Sequence, residues 1–220
     1  MTPNFNAIAP FYRWLEYLTF GPALSRCRNY FLPALTGSRR ALVLGDGDGR
    51  FLARLLASNP HLLADAVDLS PAMLARLARR AKAAHPSAAQ RLRTIRADAR
   101  KFQPSGTYDL IVTHFFLDCL TESELDALTL RLRPHLAPEA LWLLSDFRIP
   151  GGPLQLPAQA LVRMLYLGFR VLTHLRTTHL PDHAAALSSI GLNRTHRQLI
   201  LGGLLTTELW QLKSRASSGV

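Results

Sequence analysis

Short apolar runs alternate with longer stretches of helical periodicity along most of this chain, the pattern of strand-helix-strand units around a parallel sheet. Ala41–Leu44 reads as a buried strand entering a glycine turn, and Phe51, Leu52, Leu55 and Leu56 then recur at helical spacing. Ala64–Leu69 predicts a second strand, after which Ser70 as cap and Pro71 at the first helical position open a helix through Lys82. Further strands are predicted at Leu92–Ala97, Tyr108–Phe116 and Ala140–Phe147, with a helix over Thr121–Leu136 between the last two. Thr121 with Glu124 three residues on forms a capping box at its start. Beyond Pro150-Gly151-Gly152-Pro153 the pattern changes to a long, nearly apolar segment, Leu161–Leu175, charged only at Arg163 and Arg170, which predicts an inserted helix. Pro181–Ile190 predicts one more helix, ended by Gly191. Arg194–Leu201 and Leu204–Leu212 then read as two strands joined through Gly202-Gly203, a pair suited to a tight hairpin. Ahead of the first strand, Phe5–Leu35 is rich in aromatic residues and predicts two short helices separated by Gly21-Pro22.

At 220 residues the chain has room for one domain, and a hydrophobic fraction of 48% with 19% charged residues excludes disorder as the main state. The charge is lopsided, with 26 Lys+Arg against 15 Asp+Glu for a net +11. Such an excess raises nucleic acid or anionic lipid as partners. Yet the basic residues are scattered arginines, with Lys82, Lys101 and Lys213 the lysines, and no block of five like charges occurs. That distribution fits a solvated surface and argues against nucleic acid. Cys27 and Cys119 show no metal or disulfide spacing, so a reducing cytoplasm is the expected location. No uncharged apolar stretch reaches the length of a spanning helix, which leaves peripheral membrane contact open.

The densest chemistry lies in Val43-Leu44-Gly45-Asp46-Gly47-Asp48-Gly49-Arg50. Glycines between a strand and a helix let the backbone approach a ligand and aim N–H groups at it. Arg50 stands where a dinucleotide fingerprint has its last glycine, the Lys-Ser/Thr ending of a phosphate loop is missing, and the turn carries the carboxylates Asp46 and Asp48. Carboxylates would repel a pyrophosphate and suit a cation. Asp68, closing the second strand, is placed to accept hydrogen bonds from both hydroxyls of a ribose. A positively charged, adenosine-containing cofactor satisfies these constraints, and S-adenosyl-L-methionine is the natural candidate.

From about Ala41 to Leu212 the chain resembles the class I S-adenosylmethionine-dependent methyltransferases. The glycine turn looks like their cofactor motif, Val67-Asp68-Leu69-Ser70-Pro71-Ala72-Met73-Leu74 like their ribose-binding strand end, and Ala97-Asp98-Ala99 like their adenine-binding segment. The resemblance implies an α/β, Rossmann-like, seven-stranded, mostly parallel sheet with an antiparallel last strand, helices on both faces and an N-terminal helical cap. It also implies cofactor contacts from Gly45, Asp46, Gly47, Gly49, Asp68, Leu69, Asp98, Ala99 and Thr113, with S-adenosyl-L-homocysteine as product. The expected divisions are a helical cap (1–38), a cofactor-binding core (39–149), a helical lid (150–181), a last helix with hairpin (182–213) and a tail (214–220). One departure stands out: Val43 replaces the acidic residue with which many members hold the methionine amino group, so that Asp46 or the Thr113 carbonyl would substitute.

Methyl transfer from a sulfonium is an in-line displacement, which asks for alignment, exclusion of water and, for some acceptors, removal of a proton. His114, at the end of the fourth strand, is the expected general base, and Asp118 four residues later is expected to orient it or to cap the following loop. Asp118 with Asp146 could hold a divalent metal, but no third ligand adjoins Asp146, so no metal is expected. Ala9-Pro10-Phe11-Tyr12-Arg13-Trp14 is similar to a stretch preceding the first strand in ubiquinone and menaquinone C-methyltransferases, which places Tyr12, with Arg148, beside the substrate. The apolar, aromatic segments argue for a hydrophobic or planar small molecule, methylated at O or C ahead of N. Arg163 and Arg170, seven apart on one helix face, suit an acidic substrate group or lipid headgroups. Competing readings are a non-methylating use of the cofactor, a binding protein without turnover, and an RNA methyltransferase.

Overall fold

A computed structural model of the chain describes Phe20, residues 22–173 and residues 179–213, with the backbone alone for 165–173. Among these, β1 (Arg40–Leu44), β2 (Leu63–Asp68), β3 (Leu92–Arg96), β4 (Tyr108–His114), β5 (Leu136–Phe147), β6 (Leu192–Ile200) and β7 (Leu205–Leu212) form one sheet in the order β3-β2-β1-β4-β5-β7-β6. Strands β3 to β5 pair in parallel, and β7 runs antiparallel to both β5 and β6. This is the expected Rossmann-like sheet. The helices are α1 (Ala23–Asn29), α2 (Arg50–Ser58), α3 (Pro71–Ala84), α4 (Ala88–Arg91), α5 (Glu122–Leu132), α6 (Gln155–Thr173) and α7 (His183–Ser189).

Side chains alternate across a strand, so each inner strand feeds two cores. Leu42, Leu44, Ile111, Trp142 and Leu144 point to one face, where Leu125, Leu128 and Leu132 of α5 and Leu187 of α7 cover them. Ala41, Val43, Leu110, Val112 and Leu143 point to the other, against Phe51, Leu52, Leu55 and Leu56 of α2 and Leu77 and Ala81 of α3. Helix starts follow the cap chemistry: Ser70 Oγ accepts the Met73 N–H, and Thr121 and Glu124 form the reciprocal capping box.

Boundaries shift where local geometry intervenes. β4 stops at His114, two residues short, because Phe115 adopts a left-handed backbone (φ 50) that a strand cannot continue. α5 ends at Leu132 because Pro134, which has no N–H, lies in a 3-10 turn at Arg133–His135, and β5 begins directly after it at Leu136. α6 begins six residues earlier than expected, with Pro157 in its first turn, where a missing N–H costs nothing. Of the two helices expected over Phe5–Leu35, the first lies outside the described residues and the second is α1. The chain moves outward from β1 through β2 to β3 and then returns to place β4 on the other side of β1. That reversal opens a crevice at the carboxyl ends of β1 and β4, the place where open α/β sheets bind ligands.

Candidate active site at the carboxyl edge of the sheet

Gly45, Gly47 and Gly49 all have positive φ (68, 60 and 78), so the turn after β1 is a run of left-handed residues that only glycine adopts without strain. Two of them are also pressed by neighbours. A Cβ on Gly45 would lie 2.8 Å from the Phe116 ring, and one on Gly49 would lie 2.5 Å from Leu77 of α3. A Cβ on Gly47 would meet nothing within 4 Å, so this residue faces the open crevice. The turn is tied to the next strand by Gly45 N–H donating to the Val67 carbonyl (3.1 Å) and to itself by Gly49 N–H donating to the Asp46 carbonyl (3.2 Å).

The two turn carboxylates, expected to act alike, do different things. Asp48 is buried and paired with Arg50 (2.9 Å) and with Arg80 of α3 (3.0 Å), so its charge is spent on packing α3 against the turn. Asp46 accepts the Leu52 N–H at Oδ2 (3.1 Å), while its Oδ1 is buried without a hydrogen-bond partner. Burial pushes the Asp46 carboxyl up to about 7, with the Leu52 hydrogen bond and Arg28 opposing only part of the effect. Only one carboxylate of the turn is therefore available to a cation.

Asp68 ends β2, beside the turn, and its Oδ1 takes the Ser70 N–H (2.8 Å); burial pushes its carboxyl up to about 6. Leu69 follows it, half-buried. On the next strand over, Asp98 is already held: Arg100 donates to both carboxylate oxygens (2.8 to 3.2 Å) and bridges onward to Glu124 (3.0 Å). Burial works to raise the Asp98 carboxyl, but the hydrogen bonds and charge of Arg100 outweigh it and hold the group below its ordinary value. An adenine amino group would have to share Asp98 with this guanidinium. Ala99 is buried in the core beside it.

At the end of β4, His114 is buried, its ring edge-on to Phe51 at 4.4 Å. Its Nδ1 lies 3.0 Å from Ser145 Oγ, which in turn lies 3.0 Å from Thr207 Oγ1, and that hydroxyl donates to the Leu144 carbonyl (3.2 Å). A carbonyl can only accept, so the network assigns the protons in one direction: Nδ1–H to Ser145, Ser145 to Thr207, Thr207 to Leu144. The Nε2 lone pair is left over, buried and without a partner. Burial, and then Arg28, push the imidazole well below its ordinary pKa, so it stays neutral. Asp118, expected to orient His114, is engaged elsewhere: its backbone N–H donates to Asp146 Oδ2 (3.1 Å), and both carboxyls are raised by burial. Ser145 does the orienting. Thr113 is fully buried and accepts the Trp142 indole N–H (3.0 Å), and Arg148 is tied to the hairpin turn through its N–H to the Leu204 carbonyl (2.8 Å).

A cleft of about 270 Å³ brings together Gly45, Asp46, Gly47, Asp48, Arg50, Phe51 and His114 with Arg28 of α1. Asp68, Asp98, Asp118 and Arg148 lie outside its lining, and Tyr12 lies outside the described residues. Arg28 is the residue that sequence reasoning missed. It is nearly buried, stacks on the Phe115 ring at 5.0 Å, and has a field that reaches both Asp46 and His114. No local motif marks it, since its place depends on α1 docking against β5 and β7. Among the described residues no group of three or more His, Cys, Asp or Glu side chains could hold a metal ion.

This geometry meets its counterparts among known proteins. Residues 42–142 match the model of a family described as a methyltransferase domain, a span that takes in the glycine turn, Asp68, Asp98 and His114. No curated protein matches the sequence. Among solved structures the chain is similar to N-methyltransferase NodS from Bradyrhizobium japonicum WM9 in complex with S-adenosyl-L-homocysteine, at 16% identity and TM-score 0.64, over 86% of this chain and 87% of that one. It is also similar to an O-methyltransferase family protein from Burkholderia thailandensis (18% identity, TM-score 0.64, 94% and 71% covered). The mitomycin 7-O-methyltransferase MmcR is a third (16% identity, TM-score 0.67, 95% and 60% covered). The fold is that of the class I methyltransferases.

Proposed function

We propose that this chain transfers a methyl group from S-adenosyl-L-methionine to an oxygen or carbon nucleophile of a hydrophobic or aromatic small molecule. The observation that carries the reading is the pairing of an unpartnered Asp46 oxygen with Arg28 across the glycine turn, one strand from Asp68. The methionine end of the cofactor carries one ammonium and one carboxylate, and this cleft presents one anion and one cation. Asp46 thereby takes over the task that Val43 cannot perform. Asp68 would hold the ribose, with Leu69, Asp98 and Ala99 along the adenine.

When bound, the cofactor supplies an electrophilic methyl group on a sulfonium. The chain's own part is to orient the acceptor, exclude water and take a proton where the acceptor has one to lose. His114 is built for the last task, since its neutral tautomer is set by the Ser145–Thr207–Leu144 chain and its Nε2 is left as acceptor. Helix α6 closes over the acceptor side as a lid, with Tyr12 and Arg148 as further substrate contacts. The nearer likeness to ubiquinone and menaquinone C-methyltransferases rests on Ala9–Trp14, outside the described residues.

Calorimetry with S-adenosyl-L-homocysteine tests the cofactor site, with binding expected at micromolar concentrations; its absence for both product and cofactor sinks the reading. Methyl transfer to a panel of phenols and quinols tests turnover. His114→Gln should lower kcat about a hundredfold on a phenolic acceptor with cofactor affinity unchanged. Full activity in that variant removes His114 from the mechanism.

A further inference from the structure

Eight large hydrophobic side chains are exposed among the described residues, and five of them gather in one place: Leu154, Leu156 and Met164 at the start of α6, and Leu199 and Leu201 at the β6–β7 turn. The two segments touch. A Cβ on Gly202 would lie 2.8 Å from Leu154 Cδ1, and one on Gly203 would lie 3.4 Å from Pro150 and 3.8 Å from Leu199. Along α6, Leu156, Ala160 and Met164 recur every fourth residue and are all exposed, while Ala158 and Val162 on the opposite side are buried. A surface helix normally has one apolar face, so a second one calls for a second cover.

The charge around this face says what the cover is. Between Phe147 and Thr207 the sequence holds Arg148, Arg163, Arg170, Arg176, Arg194 and Arg197 against a single acidic residue, Asp182. Arg163 and Arg197 are exposed beside the apolar stripe. Two copies of this chain meeting through the same patch would bring both arginine sets together, which like-charge repulsion opposes. An anionic bilayer is complementary to both the apolar stripe and its cationic border. The face also adjoins a smaller apolar cluster of Val162 with Cys119, Ile149, Leu180 and Leu204, which leads to the ends of β4 and β5.

We propose that this face docks on an anionic phospholipid surface, and that the methyl acceptor is a lipid-soluble molecule that reaches the site from the bilayer. Docking stands on the patch alone, whereas the origin of the acceptor rests on the function proposed above. Leu156 and Leu201 insert, Met164 extends the stripe, and Arg163 and Arg197 meet the headgroups. Docking of this kind is reversible and weakens with salt, because a few inserted side chains act together with a screened charge term.

Flotation of the full chain with phosphatidylglycerol-containing and pure phosphatidylcholine vesicles, at low and high salt, tests it. Binding to the anionic vesicles, weakened by salt and at least tenfold weaker on neutral ones, is expected. The double substitution Leu156→Asp with Leu201→Asp should lower partition at least tenfold, and Arg197→Glu should remove the anionic preference. Leu130→Asp, at an exposed position on α5, should leave it unchanged. Unchanged thermal unfolding in each variant excludes misfolding as the cause. Equal binding to neutral vesicles, no binding at all, or a dimer by light scattering that the double substitution dissolves overturns docking. S-adenosyl-L-homocysteine binding read on the same samples separates the two proposals: vesicle binding without it defeats the methyltransferase reading and leaves docking standing, and the converse defeats docking alone.

Discussion

The two halves of the sheet's carboxyl edge treat their carboxylates in opposite ways. On the β1–β3 side, Asp48 and Asp98 are each gripped by arginines, and Asp65 by Arg93 (2.7 Å) and the Tyr108 hydroxyl (2.6 Å). Facing the crevice and on the β4–β5 side, Asp46, Asp118 and Asp146 are buried with their carboxyls pushed upward. The paired groups hold elements in place and are satisfied without a ligand. Burial of the others is costly to the empty protein, and a residue kept at such a cost is where a ligand or a proton has a use.

The contrast can be broken most forcefully at the turn that separates the halves. Gly49→Ala forces a Cβ to within 2.7 Å of the Leu77 backbone at a left-handed φ, so we expect a loss of about 3 kcal/mol, read by denaturant unfolding, and loss of cofactor binding with it. Asp46→Asn should separate stability from function. It removes a disfavoured buried charge, so stability at pH 8 is expected to rise by about 2 kcal/mol, while affinity for S-adenosyl-L-homocysteine falls roughly a hundredfold. A variant that loses both would place Asp46 with the paired group.

The same carboxyl makes binding depend on pH. A ligand ammonium favours the ionised form, so affinity should fall about tenfold per pH unit below about 7 and level off above it, with one proton released on binding. In Asp46→Asn that dependence should vanish. Stability of the empty protein runs the other way. Asp46 and Asp68 have folded-state pKa values raised above the unfolded ones, so their favourable contribution is complete at low pH and is lost as pH rises through about 6 to 7. The depressed groups Asp65, Asp98 and Glu208 contribute above their unfolded pKa values and lose that contribution on acidification. Melting temperature should therefore peak near about pH 5, and a peak at pH 8 would contradict this assignment. The smallest effect is expected at Asp98→Asn: its pair with Arg100 is partly solvated, so about 1 kcal/mol should be lost at pH 7.

Much of the architecture was legible because it is written in short periods. Alternating apolar residues placed the inner strands, Ser70-Pro71 and Thr121–Glu124 marked helix starts, and three glycines between a strand and a helix announced the turn whose positive φ values require them. The strand ends were harder to read, since Phe115 leaves β4 through a left-handed backbone that its own side chain disfavours and its surroundings impose.

The sequence by itself determined where the crevice would open and that Asp46, Asp68 and His114 would stand around it, because strand, turn and helix follow from contacts within a few residues. Only the tertiary structure decided which of these groups would be free to act. Asp48 meets Arg80 across 32 positions, His114 finds Ser145 across 31, and Arg28 enters the cleft on a helix that docks against strands at the far end of the chain. Burial and pairing depend on sheet register and helix docking, and those are long-range outcomes that no local pattern encodes.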